Sequence, residues 1–164
     1  MDNRRSKENY YLDIAEAALE RSTCLRRQFG AIIVRDDEIV ATGYNGAPRG
    51  RRNCSDLGRC TRRELNIPAG ERYELCRSVH AEANAIISAA RSECLGGALY
   101  LVSRDAVTGE LLERQEPCSV CCRMIINAGL SKVVVRDSGS RYRVFRVQDW
   151  VFQDDTLLEP GEGA

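Results

Sequence analysis

A chain of 164 residues, 43% hydrophobic and 29% charged, has the size and composition of one globular domain. Its 24 basic and 24 acidic residues give a formal net charge of +0, which argues against a broad electropositive face for gripping nucleic acid. The polar start Met1–Glu8 lacks the apolar core of a secretory signal and no apolar run could span a bilayer, so a cytoplasmic location without a membrane partner is expected.

Between Glu8 and Arg21 the apolar positions Tyr11, Ile14, Ala15, Ala18 and Leu19 recur at helical spacing and predict an amphipathic first helix. Phe29–Val34 and Ile39–Tyr44 are β-rich runs separated by the polar Asp36-Asp37-Glu38, the pattern of an antiparallel hairpin. Asn45–Gly50 is dense in turn formers, and Arg51–Val79 reads as a long, polar, cysteine-bearing loop. A helix is expected over Ala81–Arg91, apolar on most faces, then a strand over Ala98–Val102. Ser103–Glu116 carries a turn at Thr108-Gly109 and has the look of an extra hairpin. A further helix over Ser119–Ala128 is stopped by Gly129. Strands over Lys132–Arg136 and Tyr142–Val147 follow, and Gln148-Asp149-Trp150 opens a short terminal element. Glu159–Ala164 has the composition of a frayed tail, leaving residues 1–158 as a single domain. The element order reads as a three-layer α/β/α domain around a mixed five-stranded sheet.

Eight cysteines without an export signal point to metal binding ahead of a disulfide framework. His80 is the single histidine of the chain, so any histidine-containing metal site uses it. It stands in His80-Ala81-Glu82, and downstream lies Pro117-Cys118-Ser119-Val120-Cys121. Alone, a His-Ala-Glu at a helix start is ordinary polar surface, and a lone C-x-x-C is a structural zinc or redox pair. In this order, with a proline before the first cysteine, they form the H-x-E…P-C-x-x-C signature of zinc-dependent nucleobase deaminases. His80, Cys118 and Cys121 supply three ligands and leave a fourth position open for water, whose pKa the metal would lower. Both halves lie where a loop enters a helix, and the positive end of a helix favours thiolates. Glu82, close by without being a ligand, is the candidate general acid/base. Cys122 adjoins the pair and points elsewhere.

Taken together, Cys24, Phe29–Val34, Gly43–Gly50, His80–Ile86 and Pro117–Cys121 resemble the cytidine/deoxycytidylate deaminase superfamily. The likeness is greatest to the deoxycytidylate deaminases and the related bacterial competence-operon deaminase, and it covers most of the chain. It implies a cytidine deaminase-like fold and hydrolysis of dCMP to dUMP and ammonia by a homo-oligomer, often a hexamer. It further implies dCTP and dTTP as effectors, with Gly43, Tyr44 and Gly46 in effector binding and Asn45 on the substrate sugar. Some members carry a second, structural zinc; Cys24 and Cys54 fall on its ligand positions, with Cys76 and Cys60 available to complete it. The chain departs from the pattern in the intervening Ser103–Glu116 and in lacking an evident helix before the last strand. Arg141 and Tyr142, or else Arg49, Arg51 and Arg52, are the candidates for the substrate 5′-phosphate. A deaminase acting on tRNA adenosine would share the metal motif but resembles the chain less at Gly43–Gly46. A free-nucleoside deaminase typically has cysteine where His80 stands. The non-enzymatic alternative is a zinc-stabilised interaction module, against which the intact Glu82 speaks.

Overall fold

The computed structural model describes residues 2–153, so the expected tail over Glu159–Ala164 and the end of the domain at 158 lie outside it. Ser6 caps the first helix, α1 (Lys7–Leu19), its hydroxyl accepting from the Asn9 N–H at 3.3 Å. Tyr11, Leu12, Ala15 and Leu19 form its buried stripe. β1 (Arg27–Arg35) and β2 (Glu38–Tyr44) make the expected hairpin, turning at Asp36 and Asp37, both at positive φ. The expected loop from 51 to 79 contains three short pieces: α2 (Cys54–Leu57), α3 (Thr61–Glu64) and a 3₁₀ turn at Tyr73–Leu75.

The helix expected over Ala81–Arg91 ends earlier. α4 (Ala81–Ser88) stops where Ala89 turns extended, and α5 (Arg91–Cys94) restarts with the Glu93 carboxylate accepting from the Ala90 N–H at 2.8 Å. β3 (Ala98–Asp105) runs three residues beyond its apolar stretch, because β1 supplies hydrogen-bonding partners as far as Arg27↔Asp105. The intervening segment is less regular than a hairpin. It pairs through one bridge, Arg104↔Leu111, around a turn in which the Asp105 carboxylate accepts from the Val107 and Thr108 N–H groups at 2.8 and 2.9 Å. α6 (Ser119–Ala128) matches its expected span, with Gly129 left-handed behind it. β4 (Lys132–Ser138) and β5 (Arg141–Arg146) pair antiparallel through a tight turn, with no helix between them, and α7 (Val147–Phe152) ends the described chain.

The sheet order is β2-β1-β3-β4-β5, with β3 and β4 parallel and every other pair antiparallel. Side-chain alternation splits β1 between two cores. Ala31 and Ile33 join Leu99, Leu101, Val133 and Val135 beneath Ala81 and Ala85 of α4 and Ile125 of α6. Ile32 and Val34 face the other way with Tyr100, Val102 and Val134, beneath Tyr11, Leu12, Ala15 and Leu19 of α1. Full burial of each valine, leucine or isoleucine among them is worth about 1.5–3 kcal/mol. This is a three-layer α/β/α arrangement. Among the described residues, no helix is long and apolar enough to cross a membrane.

Candidate active site

Gly43 on β2 lets α4 approach closely: a Cβ there would lie 2.3 Å from the Ala81 carbonyl oxygen and 2.5 Å from the Ala85 nitrogen. The same end of α4 is stitched down by Gly46 and Val79, which exchange backbone hydrogen bonds of 3.2 and 2.7 Å. The amide of Asn84 donates to the Tyr44 carbonyl at 2.8 Å. His80 is the N-cap of α4 and Cys118 the N-cap of α6, so two helix starts bring the sequence-predicted ligands together. His80 Nδ1 lies 3.4 Å from both Cys118 Sγ and Cys121 Sγ. Among the described residues, these alone bring three potential ligand atoms within 4.8 Å of one another.

The electrostatics suit a cation. Cys118 Sγ accepts from the Cys121 thiol, the Cys121 N–H and His80, which together hold its pKa down to about 4. Cys121 is pushed up by its hydrogen bond to Cys118 and by burial, so the pair ionises first at Cys118. The hydrogen bond to the Cys118 sulfur raises the His80 imidazole, opposed first by burial and less by the charge of Arg62. One imidazole nitrogen and two sulfurs form a borderline-soft donor set that fits zinc better than calcium or magnesium. Glu82, in the first turn of α4, is only 4% exposed, and burial raises its carboxyl above the ordinary glutamate range.

His80, Glu82 and Cys118 line one cavity, shared with Asn45, Phe29, Arg26 and Arg62. The Asn45 amide is knit to β1: its Oδ1 accepts from the Phe29 N–H at 2.9 Å and from the Ser22 hydroxyl, and its Nδ2 donates to the Arg27 carbonyl at 2.9 Å. Cys24, Cys60 and Cys76 also reach this cavity. Cys54 is buried behind them, its thiol raised first by burial and then by those three neighbours. No three of the four sulfurs meet the 4.8 Å spacing of the first site.

The phosphate candidates lie elsewhere. Arg141 and Tyr142 line a separate surface cavity with Asp137 and Arg114, and Arg49, Arg51 and Arg52 are exposed. Two cavity arginines that sequence reasoning passed over, Arg26 and Arg62, each have a buried nitrogen with no hydrogen-bond partner among the described residues. Arg26 takes over as the phosphate candidate, while Arg62 is committed to the Pro68 and Glu71 carbonyls. Their only signal in the sequence was a place two residues after Cys24 and Cys60. Cys122 is half-buried and donates to the Pro117 carbonyl at 3.4 Å; Cys94 is packed in the core.

Residues 5–137 match the family described as the cytidine and deoxycytidylate deaminase zinc-binding region. Deoxycytidylate deaminase of Mycobacterium phage D29 is 37% identical over 132 residues, covering 77% of this chain and 91% of that one. The enzyme of the same name from Schizosaccharomyces pombe is 33% identical over 135 residues, covering 82% of this chain but 38% of its own length. The crystal structure of dCMP deaminase from cyanophage S-TIM5 in complex with dCMP and dUMP superposes with a TM-score of 0.53 at 26% identity, over 81% of this chain and 84% of that one. A zinc-ligand triad at two helix starts, a buried glutamate beside it and these matches lead to one conclusion: the chain belongs to the cytidine and deoxycytidylate deaminase family.

Proposed function

We propose that this protein is a zinc-dependent hydrolase that converts dCMP and water to dUMP and ammonia. The observation that carries the reading is the buried Glu82 carboxyl, two residues beyond His80 and on the same cavity as Cys118. A purely structural metal site has no use for such a group. Bound by His80, Cys118 and Cys121, zinc would supply Lewis acidity and a nucleophilic water at neutral pH. Glu82 is the proton carrier: with its pKa raised by burial, it can take a proton from water, deliver it to N3 of cytosine and later protonate the amine leaving C4. The Asn45 amide retains one N–H for the substrate sugar, its other donor being held by β1. Arg26 lines the cavity, and its buried Nη1, without a hydrogen-bond partner among the described residues, supports a nucleotide over a nucleoside, since a 5′-phosphate would satisfy it.

The reading extends to one deaminase domain over residues 1–158, in the cytoplasm. It includes a structural zinc at Cys24, Cys54, Cys60 and Cys76, supported by the gathering of those thiols around Cys54. A homo-oligomer, a hexamer among its forms, with dCTP and dTTP acting at Gly43, Tyr44 and Gly46 completes it; the exposure of Tyr44 supports a contact there. The test is ammonia release by zinc-loaded protein from dCMP, deoxycytidine, CMP, dCTP and an adenosine-containing tRNA stem-loop, with and without added dCTP. Turnover of dCMP, raised by dCTP, is expected; turnover of another substrate alone overturns the dCMP assignment. Metal analysis should find two zinc ions per chain, and one would remove the structural site.

A further inference from the structure

We propose that Arg62 and Tyr73 form a stack that sets the plane of the His80 ring, making both positioning residues for the metal-binding imidazole. The inference rests on the metal reading above and goes beyond it. Arg62 is 7% exposed, and its hydrogen bonds among the described residues go to two backbone carbonyls, those of Pro68 and Glu71, each at 2.8 Å. No acidic side chain pairs with it there; its guanidinium lies instead over the Tyr73 ring, 4.7 Å from the centroid. Tyr73 in turn meets the His80 ring at an interplanar angle of 90° and a centroid distance of 4.9 Å. The three groups form one continuous chain of contacts, face-on from Arg62 to Tyr73 and edge-on from Tyr73 to His80.

The stack is anchored at the point where it is needed. Tyr73 opens the 3₁₀ turn directly after Arg72, whose φ of 50° places a residue with a side chain in the left-handed region. Arg62 grips the Glu71 carbonyl just before that turn, so the charge that covers the ring also holds the backbone carrying it. The N-cap position determines where the His80 backbone stands, but not the rotation of its ring. A metal needs the Nδ1 lone pair, which lies in the ring plane, so a rotation of a few tens of degrees weakens the ligand. Ligating histidines are usually held by a carboxylate or carbonyl on the second nitrogen. Here a perpendicular aromatic ring provides the orientation, in a geometry aromatic pairs favour.

The test compares zinc-loaded Tyr73→Phe, Tyr73→Leu, Arg62→Met and the Tyr73→Leu/Arg62→Met double variant with the wild type. The readouts are the rate of zinc loss to a chelator, the visible spectrum of cobalt(II)-loaded protein, and kcat and KM for dCMP. Tyr73→Phe keeps the ring and should match the wild type. Tyr73→Leu and Arg62→Met should each lose zinc about tenfold faster and shift the cobalt bands, with kcat lowered and KM little changed. The double variant should be no worse than either single one, because Arg62 acts through Tyr73. Wild-type zinc retention and cobalt bands in Tyr73→Leu would overturn the proposal, as would an Arg62→Met variant that raises KM while holding zinc normally. Should Arg62→Met fail to fold, Tyr73→Leu against Tyr73→Phe decides alone. A wild type that holds zinc but ignores dCMP overturns only the substrate assignment, and the zinc and cobalt readouts still decide the stack. A wild type that holds no zinc overturns both.

Discussion

At the scale of single residues, two carboxylates show how surroundings divide labour. Burial raises the Glu82 pKa against the opposing pull of its backbone N–H and of His80; Asp137 accepts from Arg143 Nε and Nη2 at 2.8 and 2.9 Å and from the Arg114 N–H at 2.9 Å, and its pKa falls. Glu82→Gln should retain zinc and lose activity by about a thousandfold, within the range for a positioned proton carrier; metal analysis beside an ammonia assay checks both halves. Asp137 gives a stability effect of definite sign. A carboxylate with a depressed folded pKa contributes stability that is present above its ordinary value of 3.8 and is lost as the pH falls through the lowered one. Asp137→Asn should therefore cost about 1.5 kcal/mol at pH 7, a charge-assisted hydrogen bond's worth, in urea unfolding. The gap from the wild type should close as the pH falls from the ordinary carboxylate value through the lowered one.

At the scale of elements, the close approach of α4 to β2 carries the site. Gly43→Ala would drive a methyl group into the Ala81 carbonyl and the Ala85 nitrogen, both backbone atoms that cannot swing aside. It should cost about 1–3 kcal/mol, as overpacking does, and weaken zinc retention along with activity, because His80 and Glu82 ride on the displaced helix. Thermal melting and chelator competition measure the two effects. Elements with strong local punctuation were legible in advance: α6 lies between the Cys118 cap and the left-handed Gly129, and the β1–β2 hairpin has its polar turn. The break after Ser88 was hidden, because Ala89 and Ala90 are good helix formers and only the Glu93 cap reveals the restart. The His80, Cys118 and Cys121 cluster was legible because His80-Ala81-Glu82 and Pro117–Cys121 are short, chemically constrained motifs, although 38 residues separate His80 from Cys118. Arg26, Arg62 and Tyr73 were not, since Arg26 sits in the connection before β1 and the other two in the irregular 51–79 segment, neither of which leaves a periodicity behind.

At the scale of the whole molecule, α1 is fastened across the sheet by a buried charge. Arg136 on β4 is 2% exposed and reaches Asp13 at 2.7 Å, Glu16 at 2.8 Å, and both the carbonyl and side-chain oxygens of Asn9 at 3.2 Å. Arg136→Met should destabilise the fold by about 3 kcal/mol, the lower end for breaking a buried pair, because both acidic partners keep access to water. Turnover at low temperature should survive, since the ligand-bearing helices pack on the opposite face of the sheet; urea unfolding and the ammonia assay separate the two. The placement of His80 on one helix start and the two cysteines on another has a further consequence, in time. The cysteine pair lies within one helical turn and can meet a metal in a barely ordered chain, whereas the imidazole arrives only when α4 has docked on the sheet. Capture of the ion in its full ligand set thus waits until both helix starts are docked, and because His80 precedes Cys118 by 38 residues, the imidazole half of the site is synthesised before either thiolate.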